Sequence, residues 1–316
     1  MKCCIALANF IIFLLIICLT ACTENITNEN VLSDECGNDD SMGTDLGSCD
    51  ETSDVPGFYS EVVTGDIRHI TTNGIPNHSF TNPSRQADEL NADIKTYELD
   101  ATPEKANDIT SILRTNNRPL IRFGVTLDGV VIDPAPAEPF IFEDADGEYN
   151  WDWVFEPTNN THVVRLDCSL AHVQPDGTYH YHGDMVEYVN TIQEGLGNGT
   201  YTPISPVQIG WAADGFPILY KYGPDDQDNL KLLEPSYHLK MGERPGDGES
   251  APCGVYNGKY TNDYEFLEGT GDLDACNGIE RKITLNGEVF NYFYVLTDHF
   301  PTIPRCFVGT PIDAFY

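Results

Sequence analysis

Short apolar stretches alternate with polar and turn-forming residues along most of the chain. These stretches are rich in β-branched and aromatic residues and are bounded by Gly, Pro, Asn and Asp, which is typical of strands. The pattern predicts strands over residues 58–63, 67–71, 120–127, 162–166, 178–182, 207–212, 218–222, 282–285 and 292–296. Because these strands do not alternate regularly with helices, we expect sandwich-like antiparallel sheets rather than a doubly wound sheet.

Two segments have the spacing expected of short helices. Residues 103–113 place apolar side chains at helical intervals after a proline. Residues 185–194 follow Asp184, and Glu187 stands where a capping box requires an acid. No repeat or second linker interrupts the remainder of the chain, so we expect one large, mainly β domain over residues 58–316 with one or two short helices.

The first 21 residues resemble the signal peptide of a bacterial lipoprotein. The apolar run over residues 10–19 is too short to span a bilayer but suits the core of a signal peptide. Leu19-Thr-Ala-Cys22 then resembles a lipobox, in which the cysteine receives the lipid. We therefore expect an exported protein that Cys22 anchors to a bacterial membrane, facing the periplasm or the cell exterior. The alternatives are an ordinary signal peptide or, in a eukaryote, a glycosylated chain.

Charge and composition limit which partners the protein can bind and indicate which part of the chain is folded. Apolar residues make up 41% of the 316 residues, which excludes disorder of the whole chain. The formal net charge is −33, and such a chain repels phosphate backbones, which argues against nucleic-acid binding. After the lipidated Cys22, the acidic stretch that ends at residue 57 lacks apolar periodicity, so residues 22–57 are expected to form a disordered tether.

Cysteine usage fits an exported protein. Outside the signal peptide and Cys22, six cysteines remain, an even number that predicts three disulfides. The six candidates are Cys36, Cys49, Cys168, Cys253, Cys276 and Cys306. Proximity in sequence favours a Cys36–Cys49 pair and leaves the pairing of the other four open. No Cys-x-x-Cys pair is present, so neither a zinc knuckle nor a thioredoxin-like site is supported.

The most informative segment runs from His172 to His182. Pro175-Asp-Gly177 is typical of a three-residue hairpin loop that ends in a left-handed glycine. Such a loop pairs His172 with His180, and strand periodicity places His180 and His182 on one face. The three imidazoles would then converge, whereas a two-residue loop would turn the first of them to the opposite face.

Converging imidazoles suggest a metal centre. Neutral imidazole binds Zn and Cu well, and three protein ligands with one open position are typical of catalytic zinc. The sequence therefore predicts one transition-metal ion, Zn or Cu, bound by His172, His180 and His182. The alternative is that the histidines only stack or hydrogen-bond within the fold.

Three further features are candidates for the same site or for a ligand. His78 follows a Gly-Ile-Pro turn and is a candidate fourth ligand, with an ordinary loop histidine as the alternative. Asp214 is a candidate carboxylate for orienting a ligand histidine, although turn formation before Gly215 explains it equally. Trp151 and Trp153 share one face of a strand, where core packing competes with carbohydrate stacking.

The motif Tyr179-His-Tyr-His182 resembles the signature of the YHYH-domain family of exported bacterial proteins. Further blocks are similar to the family in the same order: residues 72–78, 122–129 with 133–134, 209–218, 237–240, 271–278, 294–298 and 305–311. The resemblance covers about residues 58–316. It departs at Asn291-Tyr-Phe-Tyr294, which lacks the histidine of the family's late block.

The resemblance assigns the domain but implies no reaction. Two functions are compatible with the sequence: a membrane-anchored metal-binding lipoprotein, and a non-catalytic surface lipoprotein for adhesion or ligand binding whose histidines are structural. The substrate or surface ligand is not predicted.

Overall fold

The computed structural model describes residues 46–83, 90–140 and 149–316. These residues form nineteen strands, most of them short. The strands are β1 Tyr59–Thr64, β2 Ile67–Thr72, β3 Lys95–Asp100, β4 Thr110–Ser111, β5 Gly124–Thr126, β6 Val131–Ile132, β7 Pro139–Phe140, β8 Asn150–Val154, β9 Ala171–Val173, β10 Tyr179–Tyr181, β11 Gln208–Ala212, β12 Pro217–Tyr220, β13 Tyr222–Pro224, β14 Leu230–Leu232, β15 Tyr237–Leu239, β16 Tyr264–Phe266, β17 Gly278–Leu285, β18 Glu288–Leu296 and β19 Cys306–Phe307. Two α-helices, α1 Thr161–Val164 and α2 Val186–Ile192, accompany them. The mainly β prediction is confirmed.

An eight-stranded sheet organises the fold, in the order β17-β18-β12-β11-β5-β6-β10-β9. Its neighbouring strands are antiparallel except for two parallel pairs, β6 with β10 and β12 with β18. A three-stranded antiparallel sheet, β1-β2-β3, contributes Ile70, Tyr97 and Leu99 to the same hydrophobic core as the large sheet. In the eight-stranded sheet β9 is the last strand, so the β9–β10 hairpin forms one edge of that sheet.

Two predicted elements are wrong: long-range pairing takes the backbone of the first, and a short helix replaces the second. Residues 103–113 form no α-helix, since the Ala106 and Ile112 amides donate to the carbonyls of Val308 and Arg305. Residues 162–166 are no strand, since they lie largely in α1, whose C-cap Arg165 is left-handed. β-Propensity is context-dependent, and a β-branched Thr-His-Val-Val run does not secure a strand.

The helix predicted over 185–194 exists as α2, but its predicted cap is wrong. The residue before the helix is Met185, and no side chain caps it. Asp184 instead accepts hydrogen bonds from the Tyr220 hydroxyl and from the Lys221 ammonium group. A charged partner from a neighbouring strand outcompetes the local backbone amides for this carboxylate.

Two disulfides are defined between described residues, Cys49–Cys168 and Cys276–Cys306, and Cys253 is also disulfide-bonded. The predicted Cys36–Cys49 pair is therefore wrong, and Cys36 lies outside the described residues. Proximity in sequence failed because the chain folds back across 119 positions to bring Cys49 to Cys168.

Residues 46–57 are part of the folded unit, so the tether prediction is wrong for this stretch. Besides the disulfide at Cys49, Gly47 donates to the Leu166 carbonyl, and Glu51 forms an antiparallel bridge with Phe80. The signal peptide, Cys22 and the remainder of the predicted tether lie outside the described residues. Among the helices of the described ranges, none is long and apolar enough to cross a bilayer.

Candidate metal centre

The β9–β10 hairpin has the register that its turn predicts. Gly177 is left-handed, with φ 84°, and its amide donates to the Gln174 carbonyl at 2.8 Å. His172 lies opposite His180, and Val173 lies opposite Tyr179. The three-residue loop is therefore confirmed, and the alternative two-residue loop is not formed.

The hairpin brings three imidazoles together. The ring centroids of His172, His180 and His182 lie 4.6–4.9 Å apart. The Nε2 atom of His182 is 2.9 Å from Nε2 of His180 and 3.2 Å from Nε2 of His172. Two zinc–nitrogen bonds at a tetrahedral angle would place nitrogens about 3.3 Å apart. The spacing therefore fits three ligands of one ion.

Backbone carbonyls orient two of these rings. The Val164 carbonyl, at the end of α1, lies 2.9 Å from Nδ1 of His172. The Thr178 carbonyl lies 3.3 Å from Nδ1 of His180, a longer contact. A carbonyl only accepts, so we assign the ring proton to Nδ1 in both residues. Both Nε2 atoms then carry a lone pair directed at the cluster.

The third ring cannot complete the hydrogen bonding of the other two. Nδ1 of His182 is buried and makes no hydrogen bond of normal geometry among the described residues, while a weaker contact with the Asp133 backbone partly opposes the lowering of its pKa. A neutral imidazole has one proton, so Nε2 of His182 donates to one neighbour at most. At least one lone pair in the cluster therefore has no protein donor.

Burial keeps the cluster neutral. His180 and His182 are buried, and His172 is half-buried. Desolvation lowers the pKa of His172 and lowers the pKa of His180 and His182 well below their usual value, and the neighbouring histidines reinforce the effect on the latter two. Neutral imidazole is the form that binds metals.

A cavity of about 150 Å³ opens on the three rings. Ala135, Ala137 and Glu138 form its opposite wall. They belong to the segment that leaves β6, which is held beside β10 by the bond from the Asp133 amide to the Tyr181 carbonyl. Burial raises the pKa of Glu138, the acidic side chain among the described residues of the cavity wall. The cavity leaves room for a small molecule or several waters beside an ion.

His78 does not join the cluster. Its Nδ1 atom bonds the Ser79 carbonyl, and its Nε2 atom bonds the Tyr181 hydroxyl. Its ring stacks on Tyr181, and tyrosine alternates with histidine along β10, so His78 lies on the face opposite the cluster. Both ring nitrogens have protein partners, so the structure does not support His78 as a fourth ligand.

Asp214 orients no histidine. Its Oδ2 atom accepts from the Tyr294 hydroxyl at 2.7 Å and from the Gly309 amide at 2.9 Å. It lies in the turn between β11 and β12, where Gly215 is left-handed. Burial raises the pKa of this carboxyl to about 6. The turn interpretation fits, and the group that orients His172 is the Val164 carbonyl.

Sequence reasoning missed both Glu138 and the Val164 carbonyl. Glu138 lies in a Pro-Ala-Pro-Ala-Glu run without periodicity, and a backbone carbonyl carries no residue signal. The parallel pairing of β6 with β10 carries Glu138 to the cluster. The one relevant signal in the sequence is the pair of tyrosines in the signature, which indicates that β10 is buried on both faces.

Comparison with known families gives one match. A family model described as YHYH protein matches residues 96–309, about two thirds of the chain, including the hairpin and its three histidines. No curated protein and no solved structure matches the chain.

Proposed function

Since this chain belongs to the YHYH protein family, we propose that its signature histidines bind one transition-metal ion. The ligand atoms would be Nε2 of His172, His180 and His182, which all lie within 4.8 Å of one another. The observation that carries the proposal is the convergence of these three nitrogens, of which at most one carries a proton.

Hydrogen bonding among the rings is the competing explanation, and it leaves the site incomplete. If His182 carries its proton on Nε2, its buried Nδ1 atom becomes an unpaired acceptor. If the proton is on Nδ1, the Nε2 lone pair of His182 faces the lone pairs of His180 and His172, at 2.9 and 3.2 Å. An unsatisfied buried polar group costs about 1–3 kcal/mol, and a cation at the centre would satisfy all three nitrogens.

The donor set favours zinc or copper. All three ligands are neutral imidazoles, which suit both ions, and neither a thiolate nor a carboxylate belongs to the group. Bound there, such an ion would supply a Lewis acid with an open position toward the cavity. Glu138 in the opposite wall would then face whatever occupies that position.

Metal analysis tests the proposal. The full-length chain is stripped with a chelator and titrated with Zn²⁺ and with Cu²⁺ by calorimetry, and the bound metal is counted by mass spectrometry. We expect one ion per chain. The variant His180→Ala/His182→Ala should lose it, with a larger drop in affinity than the roughly 10–100-fold cost of removing an outer-shell partner.

His69→Ala provides the matched control. This histidine lies on β2, its side chain is 45% exposed, and it contacts Glu98 rather than the cluster. Its removal should leave the stoichiometry unchanged. A folded wild-type chain that takes up no stoichiometric metal would instead support the alternative, a ligand-binding surface protein with structural histidines.

We also propose that a lipid on Cys22 anchors the protein to the membrane after export. The lipobox-like Leu19-Thr-Ala-Cys22 supports the lipid, and the disulfides support an oxidising compartment. Cys22→Ser should move the protein from the membrane fraction to the soluble fraction. Unchanged membrane association in the variant would contradict the anchor.

A further inference from the structure

A second, larger cavity adjoins the histidine cavity. It has a volume of about 500 Å³, within the usual range for small-molecule sites. Ala135 lines both cavities, so one residue separates the two spaces. None of the three histidines lines the larger cavity, so its chemistry is independent of the metal proposal.

Two indoles form one wall of the larger cavity. Trp151 and Trp153 lie on the same face of β8. Trp153 is 7% exposed and packs edge-on against Tyr260, with ring centroids 5.7 Å apart. Trp151 is half-buried, and the Arg118 guanidinium lies 4.9 Å from its ring centroid. These contacts hold both rings in place, so the aromatic wall is preorganised.

Hydrogen-bond donors and acceptors complete the wall of the larger cavity. Asp152 lines the cavity, and its carboxylate accepts from the Asn117 amide, also a lining residue, at 2.7 Å. Asn262 donates to the Asp152 carbonyl at 3.5 Å. The lining therefore offers amide groups, which can donate to a hydroxyl or accept from it, and a carboxylate, which accepts.

Arg305 adds a neutralised ion pair. Its Nη2 atom bonds both carboxylate oxygens of Glu156, at 3.1 and 3.0 Å, which balances its charge. Its Nε atom is buried away from solvent and makes no hydrogen bond to any described residue. Arg305 therefore contributes its carbon chain and a balanced charge to the lining, and no free cation.

We propose that this cavity binds a neutral saccharide of one or two pyranose rings. The apolar face of a pyranose would stack on the indole wall, while its hydroxyls would exchange hydrogen bonds with Asp152 and Asn117. A phosphate or carboxylate ligand would need an unneutralised cation in the lining, but Arg305 already pairs with Glu156, and Arg118 covers Trp151 without lining the cavity. A purely apolar ligand would leave the polar groups unpaired.

Tryptophan fluorescence tests the proposal directly. The chain has 3 Trp, of which two line the cavity, and the third, Trp211, is buried beneath Arg68. The full-length protein is titrated with cellobiose, maltose, lactose and N,N′-diacetylchitobiose. We expect at least one of them to give a saturable change with a Kd of about 1 mM or tighter. Saturation-transfer NMR with the same sugars should show contacts to their ring protons.

Variants locate the binding. Trp151→Ala should weaken it about tenfold or more, and Trp151→Phe should retain most of it. Asp152→Ala, at an exposed position, should also weaken it and serves if Trp151→Ala does not fold. The control Tyr316→Ala removes another aromatic ring, 56% exposed, and should leave the Kd unchanged.

Three results would overturn the proposal: no saturable response to any of the four sugars, equal binding in the wild type, Trp151→Ala and Asp152→Ala, or binding of an anionic naphthalene sulfonate dye in the cavity without binding of any sugar. His180→Ala/His182→Ala should bind the sugar with unchanged Kd whether or not the wild type holds metal. Loss of the sugar in that variant alone would place it on the histidines and would also overturn the proposal.

Discussion

The two faces of β10 carry side chains of similar polarity but differ in how their polar atoms are satisfied. On one face, Tyr179 donates to the Asp167 carboxylate at 2.8 Å, and Tyr181 bonds His78. On the other, His180 and His182 meet His172 with too few protons for their lone pairs. One strand thus presents a completed hydrogen-bond network and an incomplete one.

The difference is what a structural role for the tyrosines and the proposed metal-binding role for the histidines would produce at single-residue spacing. The tyrosine face is anchored by Asp167, which also accepts from the amides of Ser169 and Ala171. Backbone carbonyls orient the histidine face at Nδ1 of His172 and of His180, which leaves the Nε2 atoms facing one another. Side chains alternate between the two faces of a buried strand. The hydrogen-bonded tyrosines on one face can therefore hold the strand in place, while the histidines proposed to bind metal lie on the other face and share no hydrogen bond with them.

The largest expected effect comes from breaking the tyrosine face. Asp167→Ala removes the acceptor for the Tyr179 hydroxyl and for the Ser169 and Ala171 amides, so buried donors lose their partner. We expect the free energy of unfolding to fall by about 3–5 kcal/mol, measured by urea denaturation of the metal-free protein. Asp108→Ala, at an exposed position, is the control and should change it by less than about 0.5 kcal/mol. Wild-type stability in Asp167→Ala would show that the tyrosine network is not what holds the strand.

A smaller effect concerns how the free energy of unfolding depends on pH. The histidine face and the tyrosine face should change it in opposite directions. Burial lowers the pKa of the cluster histidines, so below about pH 6.5 the unfolded chain binds protons that the folded chain does not. The metal-free protein should therefore lose stability as pH falls from 7.5 to 5.5. His180→Ala/His182→Ala should lose about 2–3 kcal/mol less over this interval, since each buried histidine contributes about 1.4 kcal/mol per pH unit.

The tyrosine face should have the opposite slope. Burial raises the pKa of Asp167 to about 6, so the folded chain takes up this proton before the unfolded chain does. Its contribution to stability should rise by about 1 kcal/mol as pH falls from 7 to 5, and Asp167→Asn should abolish that rise. Urea denaturation of the three proteins at each pH checks both slopes, and slopes of the same sign would contradict the distinction between the faces.

Local chemistry explains what the sequence could predict. The Pro175-Asp-Gly177 turn determines which residues pair in the hairpin, and alternation determines the faces, so the histidine cluster follows from about ten consecutive residues. Strands such as β1, β2 and β18 were also predictable, because their apolar patterns lie within one segment.

Long-range pairing explains what the sequence could not predict. The backbone of residues 106–112 bonds to residues 305–308, which no local pattern around Pro103 reveals. The same holds for Cys49 and Cys168, and for Glu138, which reaches the cluster through a parallel strand pair. Each of these depends on a contact between distant segments, and short-range periodicity carries no information about such contacts.

The Cys49–Cys168 disulfide has a mechanical consequence. Tension that reaches Cys49 would pass to Cys168, next to the Asp167 network and shortly before β9, instead of peeling β1 from the edge of its sheet. A covalent bond resists such a force far better than a strand edge does. The histidine hairpin would therefore lie close to the disulfide that carries this tension.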